Sequence, residues 1–399
     1  MEMSASTSTF CLGLSGSLMR SGADFAAGAL VDPMNFATPI ARPEDKLLGL
    51  EVLRFVTALA ILIWHYQHFA FSGLAAVNFI PDRQPFYGLF TLFFQQGLRG
   101  VQIFWCISGF IFFYKYRDTL SARKLDGPTF FVLRFSRLYP LHLATLLLVV
   151  GLQGLYVGSH GQSFVYENND LKHFILQIFM ASFWGLQKGY SFNGPIWSIS
   201  IEILIYVIFF VGLRLFGRSI WVNIAMVGLY PVARVLGVYN VFILAVSYFY
   251  AGGLAAIFRS HLVGYRLWPQ VQAGVLTCLI GGLAAAAGLH VLNDKPMIND
   301  ALLILTPLML VLVSGQWPVS SLIAGIIQGL GNLTYASYLL HFPLQLAAVL
   351  VFSALGLAIP LYDNLFFLGY FAGVLGASYL VFRVFERPAQ AAIRKALLT

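Results

Sequence analysis

Arg54 and His65 stand eleven residues apart in "RFVTALAILIWH", a stretch apolar enough to lie in a bilayer. On a helix of 100° per residue they fall within about 20° of one another, so they share a face, separated by roughly 16 Å of rise. Both side chains are expensive in hydrocarbon. Taken singly, Arg54 reads equally well as a snorkelling anchor and His65 as a packed interior histidine. On one face together they point to a polar cavity, because intramembrane ionisable groups line pathways and sites. A histidine titrates near neutrality, so the chemistry it offers is proton transfer.

Three further stretches carry polar chemistry. In "VLRFSRLYPLH" (132–142), Arg134 and Arg137 lie on adjoining faces of one turn. They serve either as a basic anchor at a helix start or as a clamp for an anion, since guanidinium forks suit phosphate bidentately. In "NGPIWSISIEILIY" (193–206), Glu202 sits inside an apolar helix, where a carboxylate needs a partner or a proton. It is either half of a structural ion pair or the group that orients and tunes a histidine. The Asn193-Gly-Pro-Ile-Trp197 turn ahead of it offers donors and an aromatic plate suited to a sugar ring. In "LGNLTYASYLLHFPL" (330–344), His341 precedes Pro343, whose missing N–H frees the carbonyl of Leu339. A simple kink and a functional site explain that pattern equally well.

The elements that must hold these groups are membrane helices. The 399 residues are 59% hydrophobic and 10% charged, against about 25% charged in a soluble domain. Mean hydropathy is +0.79. Apolar stretches of spanning length occur near 50–72, 97–116, 135–155, 196–215, 219–238, 241–258, 271–292, 299–316, 332–355 and 364–385. The sequence therefore predicts an all-α, polytopic integral membrane protein with about ten transmembrane helices, and a re-entrant or interfacial segment near 173–186. With that segment not crossing, the basic clusters around 115–137, 214–218, 259–266 and 383–395 all fall on the cytoplasmic side, and both termini with them. The net charge of +8 is thus a membrane signature. No basic run interleaved with aromatics suggests nucleic acid. Residues 1–46, rich in Ser, Gly and Ala, read as a disordered cytoplasmic extension. Residues 47–388 read as the membrane domain and 389–399 as a short basic cytoplasmic tail. Cys11, Cys106 and Cys278 are scattered and odd in number, so neither a disulfide framework nor a metal site is expected.

Arg54 with His65, the Arg134/Arg137 pair, "WSISIE" (197–202) and "YASYLLHFPL" (335–344), joined by "GVQIFWCISGFI" (100–111) and "FERP" (385–388), follow one another as in a single family. In order and spacing the chain resembles the membrane-bound acyltransferase 3 family, bacterial enzymes that acylate sugars of surface and secreted glycans. The resemblance runs from about Leu47 to Pro388. It departs at Gln102 and Ile203, where members often carry acidic residues. The resemblance implies a multi-pass protein of the bacterial inner membrane. It also implies an O-acyltransferase that draws an acyl group, acetyl foremost, from acyl-CoA as co-substrate, with no permanently bound cofactor. The acceptor would be a sugar hydroxyl of an exopolysaccharide, lipopolysaccharide or lipid-linked glycan. On this reading His65 is the general base and Glu202 its carboxylate partner. Arg54, a tyrosine or backbone groups stabilise the oxyanion, Arg134, Arg137 and Arg54 receive CoA, and Asn193, Trp197 and His341 meet the acceptor. A transient acyl-enzyme ranks behind direct transfer, because no serine or cysteine sits in a nucleophile motif. A transporter of a polar or anionic glycan-related substrate is the alternative from another class, and would use the same buried groups.

Overall fold

In the computed structural model, residues 47–263 and 268–398 are described; the expected extension over 1–46 and Arg266 lie outside them. Thirteen α-helices account for most of that length. The first, α1 (Leu48–His65), continues into a single-turn 3₁₀ segment, Tyr66–Ala70. A two-residue hairpin follows, pairing Phe71 with Ala76 and Ser72 with Ala75. Then come α2 (Tyr87–Gln96), α3 (Gly100–Ser121), α4 (Gly127–His160) and the short α5 (Leu171–Ile178). Next are α6 (Trp197–Phe216), α7 (Ile220–Val235), α8 (Val241–Leu262), α9 (Trp268–Gly288) and α10 (Lys295–Val313). Last are α11 (Ser321–Ala354), α12 (Asn364–Val381) and α13 (Arg387–Leu398).

Nine helical segments among the described residues are long and apolar enough to cross a membrane. The tenth expected span, 219–238, forms α7, which is apolar but has 16 residues. At 1.5 Å per residue it reaches roughly 24 Å, short of a hydrocarbon core of about 30 Å. The 173–186 stretch does not cross. It makes the eight-residue α5 and then turns, so its rise is only about 12 Å. Exposed Leu, Ile and Val side chains run along the outer faces of α4, α7, α11 and α12, as lipid contact requires.

Close backbone approach sets the positions of the central helices. A Cβ on Gly109 of α3 would meet the carbonyl of Phe249 on α8, and one on Gly252 would meet the carbonyl of Cys106. Only glycine permits that seam, by the small-residue logic of membrane helix packing. Around it Phe112, Phe209 and Phe249 interlock edge-to-face from α3, α6 and α8, with Phe113 tilted against Phe209. At one end Arg117 donates to the Arg218 carbonyl (3.0 Å) and Arg214 to that of Leu125 (2.8 Å). These bonds gather the α3–α4 and α6–α7 connections, with their basic residues, on the same side. At the other end Arg234 of α7 pairs with Asp300 of α10.

Candidate functional site

Helices α1, α3, α4, α6, α11 and α13 enclose a cavity of about 530 Å³. Five cations (Arg54, Lys115, Arg134, Arg137 and Arg394) and two carboxylates (Glu51 and Glu202) line it. Arg54 projects back along α1: its guanidinium bonds Glu51 at 2.8 Å and donates to Thr334 Oγ1 on α11 at 3.1 Å. Gly331 makes room for this, since a Cβ there would strike the Glu51 carboxylate. Arg134 lies over the rings of Phe112 and Tyr116, 5.0 Å from each centroid, and donates to the Tyr116 hydroxyl at 2.5 Å. Arg137 has no hydrogen bond or ion pair among the described residues. The Glu202 carboxylate accepts from Ser108 of α3, with the Tyr206 hydroxyl beside it.

His65 stands further along α1, on the face that Arg54 shares. Its Nδ1 donates to the Ile61 carbonyl at 2.8 Å, which fixes the tautomer and leaves Nε2 as a lone-pair acceptor. The His65 ring is 4.8 Å from that of His341 and 5.1 Å from that of His68. His341 bonds the Ser337 carbonyl through Nδ1 at 3.3 Å, while its buried Nε2 is unpartnered. Gln345 donates to the His65 carbonyl (3.1 Å) and locks α1 to α11 at this level. Tyr338 joins the two regions. It lines the cavity, bonds Ser198 at 2.8 Å and lies 6.0 Å from the His341 ring. The described residues hold no group of three His, Cys, Asp or Glu side chains set to hold a metal ion.

The structure thus brings Arg54, Arg134, Arg137 and Glu202 to one cavity, and His65 beside His341 just beyond it. Three expectations need correction. Glu202 does not orient His65: it faces Ser108 and the arginines, and His65 uses its own helix carbonyl instead. The Arg54 guanidinium is not turned to His65: it is held by Glu51, one turn back along α1, and by Thr334. Asn193 is fully buried, and its Nδ2 donates at 3.0 Å to the Leu339 carbonyl, the group that Pro343 leaves free. Its amide nitrogen therefore serves the carbonyl that Pro343 frees in α11, while its buried Oδ1 is unpartnered. Trp197 packs edge-on against Trp105 and near Phe183 and Tyr190, at ring distances of 5.8, 5.4 and 6.2 Å. Gln102, one of the two departures, is buried with an unpartnered Oε1. Sequence reasoning missed Glu51, Ser108, Lys115, Tyr338 and Arg394. Ser108 and Tyr338 lie inside motifs already singled out, whereas Lys115 and Arg394 looked like ordinary boundary cations.

Residues 47–383 match the family described as an acyltransferase domain. The chain belongs to the acyltransferase 3 family. It is also 27% identical over 166 residues to the acyltransferase MdmB of Streptomyces mycarofaciens. That alignment takes in 41% of this chain and 38% of MdmB, so the chain spans well under half of that relative's length. No solved structure matches. The family match covers α1 to α12, and hence every cavity wall except α13. A member of that family built on membrane-spanning helices is the resulting description.

Proposed function

We propose that this acyltransferase moves a short acyl group, acetyl foremost, from acyl-CoA to a hydroxyl of a sugar in an exopolysaccharide, lipopolysaccharide or lipid-linked glycan. The observation that carries the reading is the division of the site into two parts. One holds cations with no carboxylate partner, suited to a polyanionic donor, and the other holds a histidine with an available Nε2. With the short α7 counted as a tenth crossing, the positive-inside rule favours the basic end in the cytoplasm of a bacterial inner-membrane protein, with both termini on that side. CoA phosphates rest near Arg134 and Arg137, and the narrow pantetheine arm carries the thioester past Tyr338.

At the histidine pair, His65 Nε2 takes the proton of the acceptor hydroxyl as its oxygen attacks the thioester carbonyl. The tetrahedral intermediate collapses with cleavage of the C–S bond. The thiolate of CoA leaves and receives the proton from His65, so the histidine is regenerated. Trp197 and the adjoining aromatic rings offer apolar faces to the sugar, and His341 supplies a second polar contact. The test is acyl transfer by purified protein in detergent, with radiolabelled acetyl-CoA and a panel of sugars, wild type beside His65→Ala. Acceptor-dependent CoA release that disappears in the variant supports the reading. Equal release from both removes His65 from the mechanism, and sugar binding with no release under any donor favours a transporter.

A further inference from the structure

Helix α13 takes no part in the acyl transfer itself, yet it forms a wall of the cavity. It does not continue α12 regularly, because Phe382–Glu386 is a π turn. Pro388 accounts for the irregularity: it lacks an N–H, and its ring would clash with the Val384 carbonyl in a continuous α-helix. The wider turn relieves that clash, and such turns recur at functional sites. It also sets the rotational phase of α13. Glu386, Gln390 and Arg394 recur every four residues along one stripe. Glu386 is buried, while Gln390 and Arg394 line the cavity. Arg394 Nε donates to Ser136 Oγ at 3.1 Å and Nη2 to the Leu133 carbonyl at 3.5 Å. The helix is thereby fastened to α4 beside Arg134 and Arg137.

Charge is unbalanced at this mouth. Arg394, Arg137, Arg134 and Lys115 make no ion pair among the described residues. The nearby carboxylates form no ion pair with these four: Glu51 binds Arg54, Glu202 binds Ser108 within electrostatic reach of Arg134 and Arg137, and Glu386 is within electrostatic reach of Arg137. Cations held together in a partly desolvated space repel one another unless an anion intervenes. We infer that α13 completes a polyphosphate subsite, in which Arg394 joins Arg137, Arg134 and Lys115 around the phosphates of a nucleotide-bearing thioester. This rests on the acyl-CoA reading and assigns the C-terminal helix to the donor site.

The experiment measures binding of CoA, dephospho-CoA, pantetheine and inorganic pyrophosphate to the full chain in detergent, and of anionic phospholipid in mixed micelles. Arg394→Gln is expected to weaken CoA by about 10- to 100-fold, the worth of one charge-assisted contact, and to leave pantetheine unchanged. Arg394→Lys should recover part of the loss. Lys115→Gln has no hydrogen-bond partner to lose and should show the same phosphate-selective weakening if Arg394→Gln fails to fold. Unchanged CoA binding in both variants overturns the subsite while leaving the acyl-CoA reading intact. An equal loss for pantetheine marks Arg394 as merely structural and also overturns it. Pyrophosphate bound through Arg394 by a protein that ignores CoA keeps the subsite and overturns the donor. Loss confined to anionic phospholipid reassigns the helix to the membrane surface.

Discussion

Replacing Asn193 by leucine keeps the branched outline of the side chain and removes the donor that serves Leu339. Both residues are fully buried, so the Leu339 carbonyl is left without a partner in an interior that water does not reach. An orphaned buried acceptor costs about 1–3 kcal/mol. The cause of the vacancy is Pro343, which cannot donate to the carbonyl four residues back. Pro343→Ala restores that N–H, so Leu339 has its own helix bond and needs Asn193 less. The two substitutions should therefore couple: Asn193→Leu is expected to cost at least ~1 kcal/mol less in the Pro343→Ala background than in the wild type. Reversible unfolding in mixed micelles with rising SDS, measured for the four proteins of the cycle, reads this coupling. Additivity within about 0.5 kcal/mol would refute the pairing. A raised KM for the acceptor with undisturbed stability would return Asn193 to sugar binding.

Three other outcomes are expected. His65→Gln should lower kcat by about 10²- to 10⁴-fold, the usual worth of a positioned general base, with helix content unchanged by circular dichroism; an unaltered rate counts against the assignment. Gly252→Ala should destabilise by about 1–3 kcal/mol or more, because the new Cβ meets backbone, and wild-type heat resistance would show that the α3–α8 seam can spread to admit it. Asp170 caps α5 by accepting from the His173 backbone N–H at 2.9 Å, and also from the His173 ring at 2.8 Å, which together hold its carboxyl below the usual range. A depressed carboxyl pKa stabilises fully above the unfolded value, about 3.9, and the effect is lost as pH falls through the folded value. Amide exchange over 171–178 should therefore be faster in Asp170→Asn at neutral pH, with the difference closing below about pH 4. A difference that persists in acid would mean the cap does not depend on charge.

The parts legible in the sequence were those fixed by one helix at a time. Hydrophobic length gave the membrane segments, and the short reach of 173–186 showed in its marginal run. Helical phase put Arg54 and His65 on one face, and the basic ends sorted together. What escaped was anything that depends on which helices meet. Glu202 was expected at His65 because both are buried and ionisable, but α6 turns it to α3 and Ser108. Asn193 looked like a ligand group because its partner, 146 residues away, is a backbone carbonyl. Arg394 looked like one more cytoplasmic cation, because the π turn that aims it inward leaves only a Pro388 as its sign.

The glycine seam between α3 and α8 makes one side of the cavity a fixed datum. Backbone touches backbone at Gly109 and Gly252, so α3 can neither slide nor roll without a collision, and Ser108, Lys115 and Tyr116 keep their spacing whatever is bound. Volume for an arriving ligand must come from walls joined by side-chain ties, which break and re-form more easily. Those are α13, pinned to α4 through Arg394, and the Tyr338 region of α11, pinned through hydroxyl groups. Breathing of this cavity is therefore one-sided: a rigid rail along α3, and a compliant flank opposite that yields as a ligand comes and goes.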